Sequence, residues 1–212
     1  NGKISNPAGS IVMESRTAIV SSGEITADIA DRGNEGDEYG DEYGDEYNSL
    51  GSLSTANESH STANDPIFGI LPFGSVSMNS DAIVQLTDAD IYASGIVNIS
   101  AQETVDIAST GSGYETTIYG LKVLIEGGEG ISVTNSSIET GSLGLPGDGY
   151  GIASFQQIAL LSDSGGVNLN GNASLYSSNI LIDGTSGVAI AGASVDSTSG
   201  YNYYSGSVGY SE

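Results

Sequence analysis

Six carboxylates fall within eleven residues, "DEYGDEYGDEY" at 37–47: Asp37, Glu38, Asp41, Glu42, Asp45 and Glu46. Hard carboxylate oxygens are the ligands calcium prefers, and no Lys or Arg lies between them. Their four-residue period matches no EF-hand loop, and the glycine-rich nonapeptide calcium repeat is missing. Two readings stand: a solvated acidic loop, and a loop that divalent cations neutralise and order. Calcium is the ion that loop would take, and no cofactor is required by any other motif.

The rest of the chemical inventory is narrow. Lys and Arg total 4 against 27 Asp and Glu, a formal charge of -23. Such a surface repels phosphate backbones and anionic lipid, so nucleic acid is excluded as a partner. No stretch approaches the roughly 20 apolar residues of a membrane helix, so no insertion is expected. Cysteine is absent and His60 is the single histidine, which removes thiol chemistry and multi-histidine zinc sites. His60 lies in a Ser/Thr stretch and reads as a surface residue. Glycoside hydrolysis needs two carboxylates about 5–10 Å apart, but no paired-Asp motif with a companion His or Arg is visible. The four bases stand far apart at 3, 16, 32 and 122. The chain therefore reads as a non-enzyme.

Two further residue sets could make contacts. Asn57, Asn98, Asn135 and Asn172 each head an Asn-x-Ser triplet, the acceptor for N-glycosylation in a secreted protein. Tyr92, Tyr119 and Tyr176 each follow the last apolar residue of a repeat unit, so they should face outward at equivalent places. Tyr201, Tyr203, Tyr204 and Tyr210 crowd the C-terminal "YNYYSGSVGY". These seven tyrosines are candidates for subunit or glycan contact, and the last four for capping the fold.

The elements that would carry these groups come from an internal repeat. Each unit reads apolar-x-apolar, five residues, apolar-x-apolar, then a further apolar residue. The instances are Val76/Met78–Val84/Leu86–Ile91, Val97/Ile99–Val105/Ile107–Ile118, Val123/Ile125–Ile131/Val133–Ile138, Ala159/Leu161–Val167/Leu169–Leu175 and Ile180/Ile182–Val188/Ile190–Val195. Alternation with period 2 puts both members of a pair on one face of a short strand. Gly-rich and polar spacers turn the chain. Starts at 76, 97, 123, 159 and 180 give steps of 21, 26, 36 and 21 residues, the longer steps carrying insertions at 109–117 and 141–155. Residues 9–30 offer a weak first unit (Ile11, Met13, Ile19, Ile25). No segment sustains a helical period.

The stretch "GVNLNGNASLYSSNILIDGTSGVAIAGASV" and its neighbours resemble the repeats of filamentous-haemagglutinin-like proteins, large secreted bacterial adhesins built as right-handed β-helices. The similarity covers residues 75–196, with 9–30 as a weaker extension. It implies an extracellular or cell-surface location and a fibrous or adhesive role.

The expected fold is all-β: a single right-handed parallel β-solenoid of about six coils over 1–212. It comprises the weak coil 9–30, an inserted acidic and Ser-rich loop 31–72, regular coils 75–196 and a Tyr-rich tail 197–212. The expected function is that of a structural subunit which self-associates head-to-tail into a filament or surface layer. A monomeric adhesin or module for surface glycans is the alternative, and a polysaccharide-degrading enzyme the third.

Overall fold

The computed structural model describes residues 2–6, 9–27, 74–111, 115–141, 156–205 and 208–211, with side chains for 3–6, 9–27, 74–111, 115–141 and 156–197. The alternating apolar pattern becomes strands: β1 (Gly2–Asn6), β2 (Ile11–Ser15), β3 (Ala18–Ser21), β4 (Gly23–Ala27), β5 (Val76–Ser80), β6 (Ile83–Thr87), β7 (Asp90–Ala93), β8 (Ile96–Ala101), β9 (Thr104–Ala108) and β10 (Thr116–Gly120). Then come β11 (Lys122–Gly127), β12 (Gly130–Thr134), β13 (Ser136–Thr140), β14 (Gln157–Ser162), β15 (Gly166–Asn170), β16 (Ser174–Gly184), β17 (Val188–Ala191), β18 (Ser194–Ser205) and β19 (Val208–Ser211). There is no helix among the described residues.

Pairing is parallel throughout, and each strand bonds to the strand that follows one turn of the chain later. The second track is a sheet ordered β3-β6-β9-β12-β15-β17-β19. The other sheet holds two tracks. One runs β2-β5-β8-β11-β14 and ends in the later halves of β16 and β18; the other runs β1-β4-β7-β10-β13 and ends in their earlier halves. The long strands β16 and β18 join the first and third tracks, and their pairing shifts register between Ser177 and Asn179, where the two tracks meet. Adjacent strands of a track lie about 4.8 Å apart.

The core is a set of columns. Ile25, Ile91, Ile118, Ile138, Leu175 and Val195 lie in one register line on the third track. The first five are no more than 1% exposed. Matching columns on the first two tracks hold Val97 and Ile99, Val105 and Ile107, and their in-register partners, also buried. Burying such a side chain contributes about 1.5–3 kcal/mol. The weak first repeat keeps register with the first clean one: Ile11 pairs with Val76, Met13 with Met78, Ile19 with Val84 and Ile25 with Ile91. The two units stack directly although residues 28–73 separate them in sequence.

Corners stack as closely as strands. Between first and second tracks the backbone ladder continues through the spacers: Glu103 N–H donates to the Ala82 carbonyl at 2.8 Å, and Glu129 N–H to that of Glu103 at 2.7 Å. Ser164 N–H donates to the Gly128 carbonyl at 2.9 Å and Ser186 N–H to that of Gly165 at 2.9 Å. A Cβ on Gly128 would fall on the Gln102 carbonyl, and one on Gly165 on that of Glu129. Four of the turns between second and third tracks use one left-handed residue at the corner: Asp88 (φ 49°), Asn135 (φ 50°), Gly171 (φ 62°) and Gly192 (φ 70°). Gly, Asn and Asp are the residues that enter this region most readily.

One expectation is corrected by a single residue. Ile158 and Leu160, not Ala159 and Leu161, continue the first-track columns, opposite Val123 and Ile125. The segment "IALL" is apolar at both parities, so alternation cannot choose. Burying Ile158 and Leu160 fully, each 0% exposed, selects the register. The following spacer therefore holds six residues rather than five, and the extra one is taken up at the corner beside Gly165. A further strand, β1, precedes the first repeat and pairs with β4. Beyond residue 196, β18 continues to Ser205 and β19 pairs with β17.

Candidate interaction surface

Alternate residues of each strand face outward, so the same stacking that builds the core builds surface columns. On the third track one such column reads Thr26, Tyr92, Tyr119, Glu139, Tyr176, Asp196. The three tyrosines fall where their spacing after Ile91, Ile118 and Leu175 puts them. The rings of Tyr92 and Tyr119 stack with centroids 5.3 Å apart and an interplanar angle of 7°. Offset parallel packing of this kind is favourable beyond simple area burial. Tyr119 reaches past Glu139 towards Gly141, where a Cβ would fall on its hydroxyl. Burial, and then the negative charge of Glu139, push the Tyr119 phenol above its ordinary value.

Glu139 holds the column's middle place. Its Oε1 accepts a hydrogen bond from Ser137 Oγ at 2.7 Å. Tyr176, the next residue in the column, is 44% exposed. Alongside runs a second column, Asp90, Thr117, Ser137, Ser174 and Ser194, mostly short hydroxyls. Glu139 and Asp196 were not singled out by sequence. Each follows the last apolar residue of its unit, as the tyrosines do, and that shared position is the signal that would have found them.

At the first turn Lys3 Nζ and Glu24 Oε1 form an ion pair at 2.6 Å, and Thr26 Oγ1 donates to the same carboxylate at 3.0 Å. The Lys3 ammonium, then the Thr26 hydroxyl, hold the Glu24 carboxyl below its ordinary range. A depression of about 440 Å³ at the first corner sets Arg16 beside Glu14 and Asp81. Another of about 410 Å³ on the first track is lined by Ile96, Asn98, Lys122, Leu124 and Glu126.

The glycosylation candidates occupy different settings. Asn98 is half-buried on β8, and its Oδ1 is buried with no hydrogen-bond partner among the described residues. Asn135 and Asn172 are exposed at stacked corners, where Asn172 N–H donates to Asn135 Oδ1 at 3.0 Å. Gly171 leaves the space that Asn135 side chain fills. Asn57 lies outside the described residues, as do His60 and the acids Asp37, Glu38, Asp41, Glu42, Asp45 and Glu46. Among the described residues no three His, Asp or Glu side chains converge on a point that could hold a metal ion.

The C-terminal tyrosines are placed by register alone. Tyr201 pairs with Asn179, Tyr203 with Leu181, Tyr204 with Ile182 and Tyr210 with Ile190. Tyr204 and Tyr210 thus stand at the register positions of core columns. No family model, curated protein or solved structure matches the chain.

Proposed function

We propose that this chain is an extracellular structural protein, a subunit that associates head-to-tail into a filament or surface layer. In this reading the parallel tracks form a right-handed β-solenoid of about six coils, with 31–72 inserted as an acidic loop. The hand follows from the strong preference of parallel crossovers.

The observation that carries the reading is the exposure of Ile4, a core-column residue on the first described strand of its track. Ile4 is 49%, Val12 63% and Val20 66% exposed. Val12 and Val20 alternate with the core residues Ile11, Met13 and Ile19 and so face outward from the sides, whereas Ile4 stands at a core-column position on β1. Ile25, the in-register partner of Ile4, is 1% exposed. An apolar core position left exposed on the last described strand of a sheet is a template for another strand. A contact between the two different ends of identical subunits does not close on itself and propagates as a filament. The charge of -23 would hold finished filaments apart, and divalent cations would bridge them.

Sedimentation velocity across a concentration series, with and without calcium, tests this. Mass growing with concentration is expected. A monomer under every condition overturns it. The second reading, a glycan-binding module, is favoured by the exposure of Tyr176, and an array of surface glycans without a binder would remove it.

A further inference from the structure

The third-track column alternates aromatic and anionic residues along the long axis of the tracks: Tyr119, Glu139, Tyr176, Asp196. Each step is one strand spacing, about 4.8 Å, so Glu139 and Asp196 lie two spacings apart, about 9.6 Å. The strip runs along the side of the fold and is independent of its ends.

Two properties of the strip decide its partner. A carboxylate flanked by aromatic rings favours a cation that is flat as well as charged. A guanidinium stacks on a tyrosine face and pairs in the plane with a carboxylate, whereas an ammonium is a hydrated point charge. The whole chain, with 27 acids against 4 bases, attracts positive partners and gives a neutral sugar no electrostatic advantage. The second property is the repeat. A polyproline II helix has three residues per turn and rises about 3.1 Å per residue, so positions i and i+3 share a face about 9.3 Å apart. That matches the two-strand spacing of the acids. In an extended β-strand, positions i and i+3 face opposite ways, so a strand cannot present the same pattern.

We propose that the strip Tyr119–Glu139–Tyr176–Asp196 binds a polyproline II segment of a partner protein that carries arginine at every third residue. Each guanidinium pairs with Glu139 or Asp196, and the Tyr176 ring lies between the two. Ser174 and Ser194 in the column alongside offer hydroxyl donors to the backbone carbonyls of such a segment, which it leaves unpaired internally, while Ser137 holds Glu139 in place.

The test is fluorescence anisotropy of a labelled (Arg-Pro-Pro)4 peptide with the full chain at about 0.15 M salt, where loose long-range attraction is screened. Tyr176→Ala and Glu139→Gln should each weaken binding about five-fold, the effect of one exposed cation–π or charged contact, and Tyr176→Phe should retain it. Asp106→Asn removes one negative charge from β9 on the second track and should leave binding unchanged. Asp196→Asn serves in place of Glu139→Gln should circular dichroism show the latter unfolded. (Lys-Pro-Pro)4 should bind more weakly. Equal losses from Asp106→Asn and Glu139→Gln would mean non-specific charge attraction and overturn the proposal. So would absence of binding, or a chito-oligosaccharide that requires Tyr176 while the peptide does not.

Discussion

Gly128 and Gly130 lie two residues apart in "EGGEG", yet the stacked corners predict opposite outcomes for replacing them with alanine. A Cβ at Gly128 would fall on the Gln102 carbonyl of the neighbouring turn, a backbone atom that cannot swing aside. Gly128 N–H also donates to the Ala101 carbonyl at 3.0 Å. Its own carbonyl accepts from Ser164 N–H at 2.9 Å and Ser164 Oγ at 2.7 Å. Relief of the clash must move the corner and stretch these bonds. Overpacking costs about 1–3 kcal/mol and a weakened hydrogen bond about 0.5–1.5 kcal/mol, so Gly128→Ala should destabilise by about 2–4 kcal/mol. At Gly130 the nearest atom to an added Cβ is the Gly166 carbonyl oxygen at 3.4 Å, an ordinary contact. Gly130→Ala should be neutral, or stabilise by about 0.4–1 kcal/mol through the unfolded chain. Urea unfolding followed by far-ultraviolet circular dichroism measures both. Equal effects from the two substitutions would refute close backbone stacking at this corner.

Three further outcomes follow from the same structure. Ile158→Ala should cost about 2–5 kcal/mol as a core truncation, and the half-buried Leu161→Ala clearly less, by the same urea assay; the reverse order would restore the other register. Asn135→Ala should cost about 1–2 kcal/mol in thermal unfolding, because alanine resists φ 50° and the bond from Asn172 N–H is lost; Asn135→Gly should cost less. The Glu24 carboxyl titrates below its ordinary 4.5, so its stabilisation is complete above that value and is lost as pH falls through the lower folded one. Lys3→Met should raise the Glu24 titration midpoint in an NMR pH series, and an unchanged midpoint would dismiss the ion pair.

Most of the core was legible because its columns are strictly alternating. Val97/Ile99 and Val105/Ile107 admit only one parity, and each stands where the spacing puts it. Reading failed where alternation carries no information, at Ile158 to Leu161, since all four residues are apolar. Strand β1, "GKISN", has a single large apolar residue, Ile4, and no pattern to betray it. Its pairing with β4 comes from backbone bonds that continue an existing sheet. The left-handed corner residues Asp88, Asn135, Gly171 and Gly192 share a conformation without sharing an identity, so they become visible only when turns are aligned through their cores. On the surface, outward tyrosines were found by chemical type, whereas Glu139 and Asp196 share their column and differ in chemistry.

Electron microscopy of the concentrated chain beside its Ile4→Glu variant tests the structural role most directly. Unbranched filaments one molecule wide are expected for the unaltered chain and shorter or absent ones for Ile4→Glu, whose charge falls on the exposed core-column position of β1. Isolated particles from the unaltered chain at every concentration, with and without calcium, would contradict it.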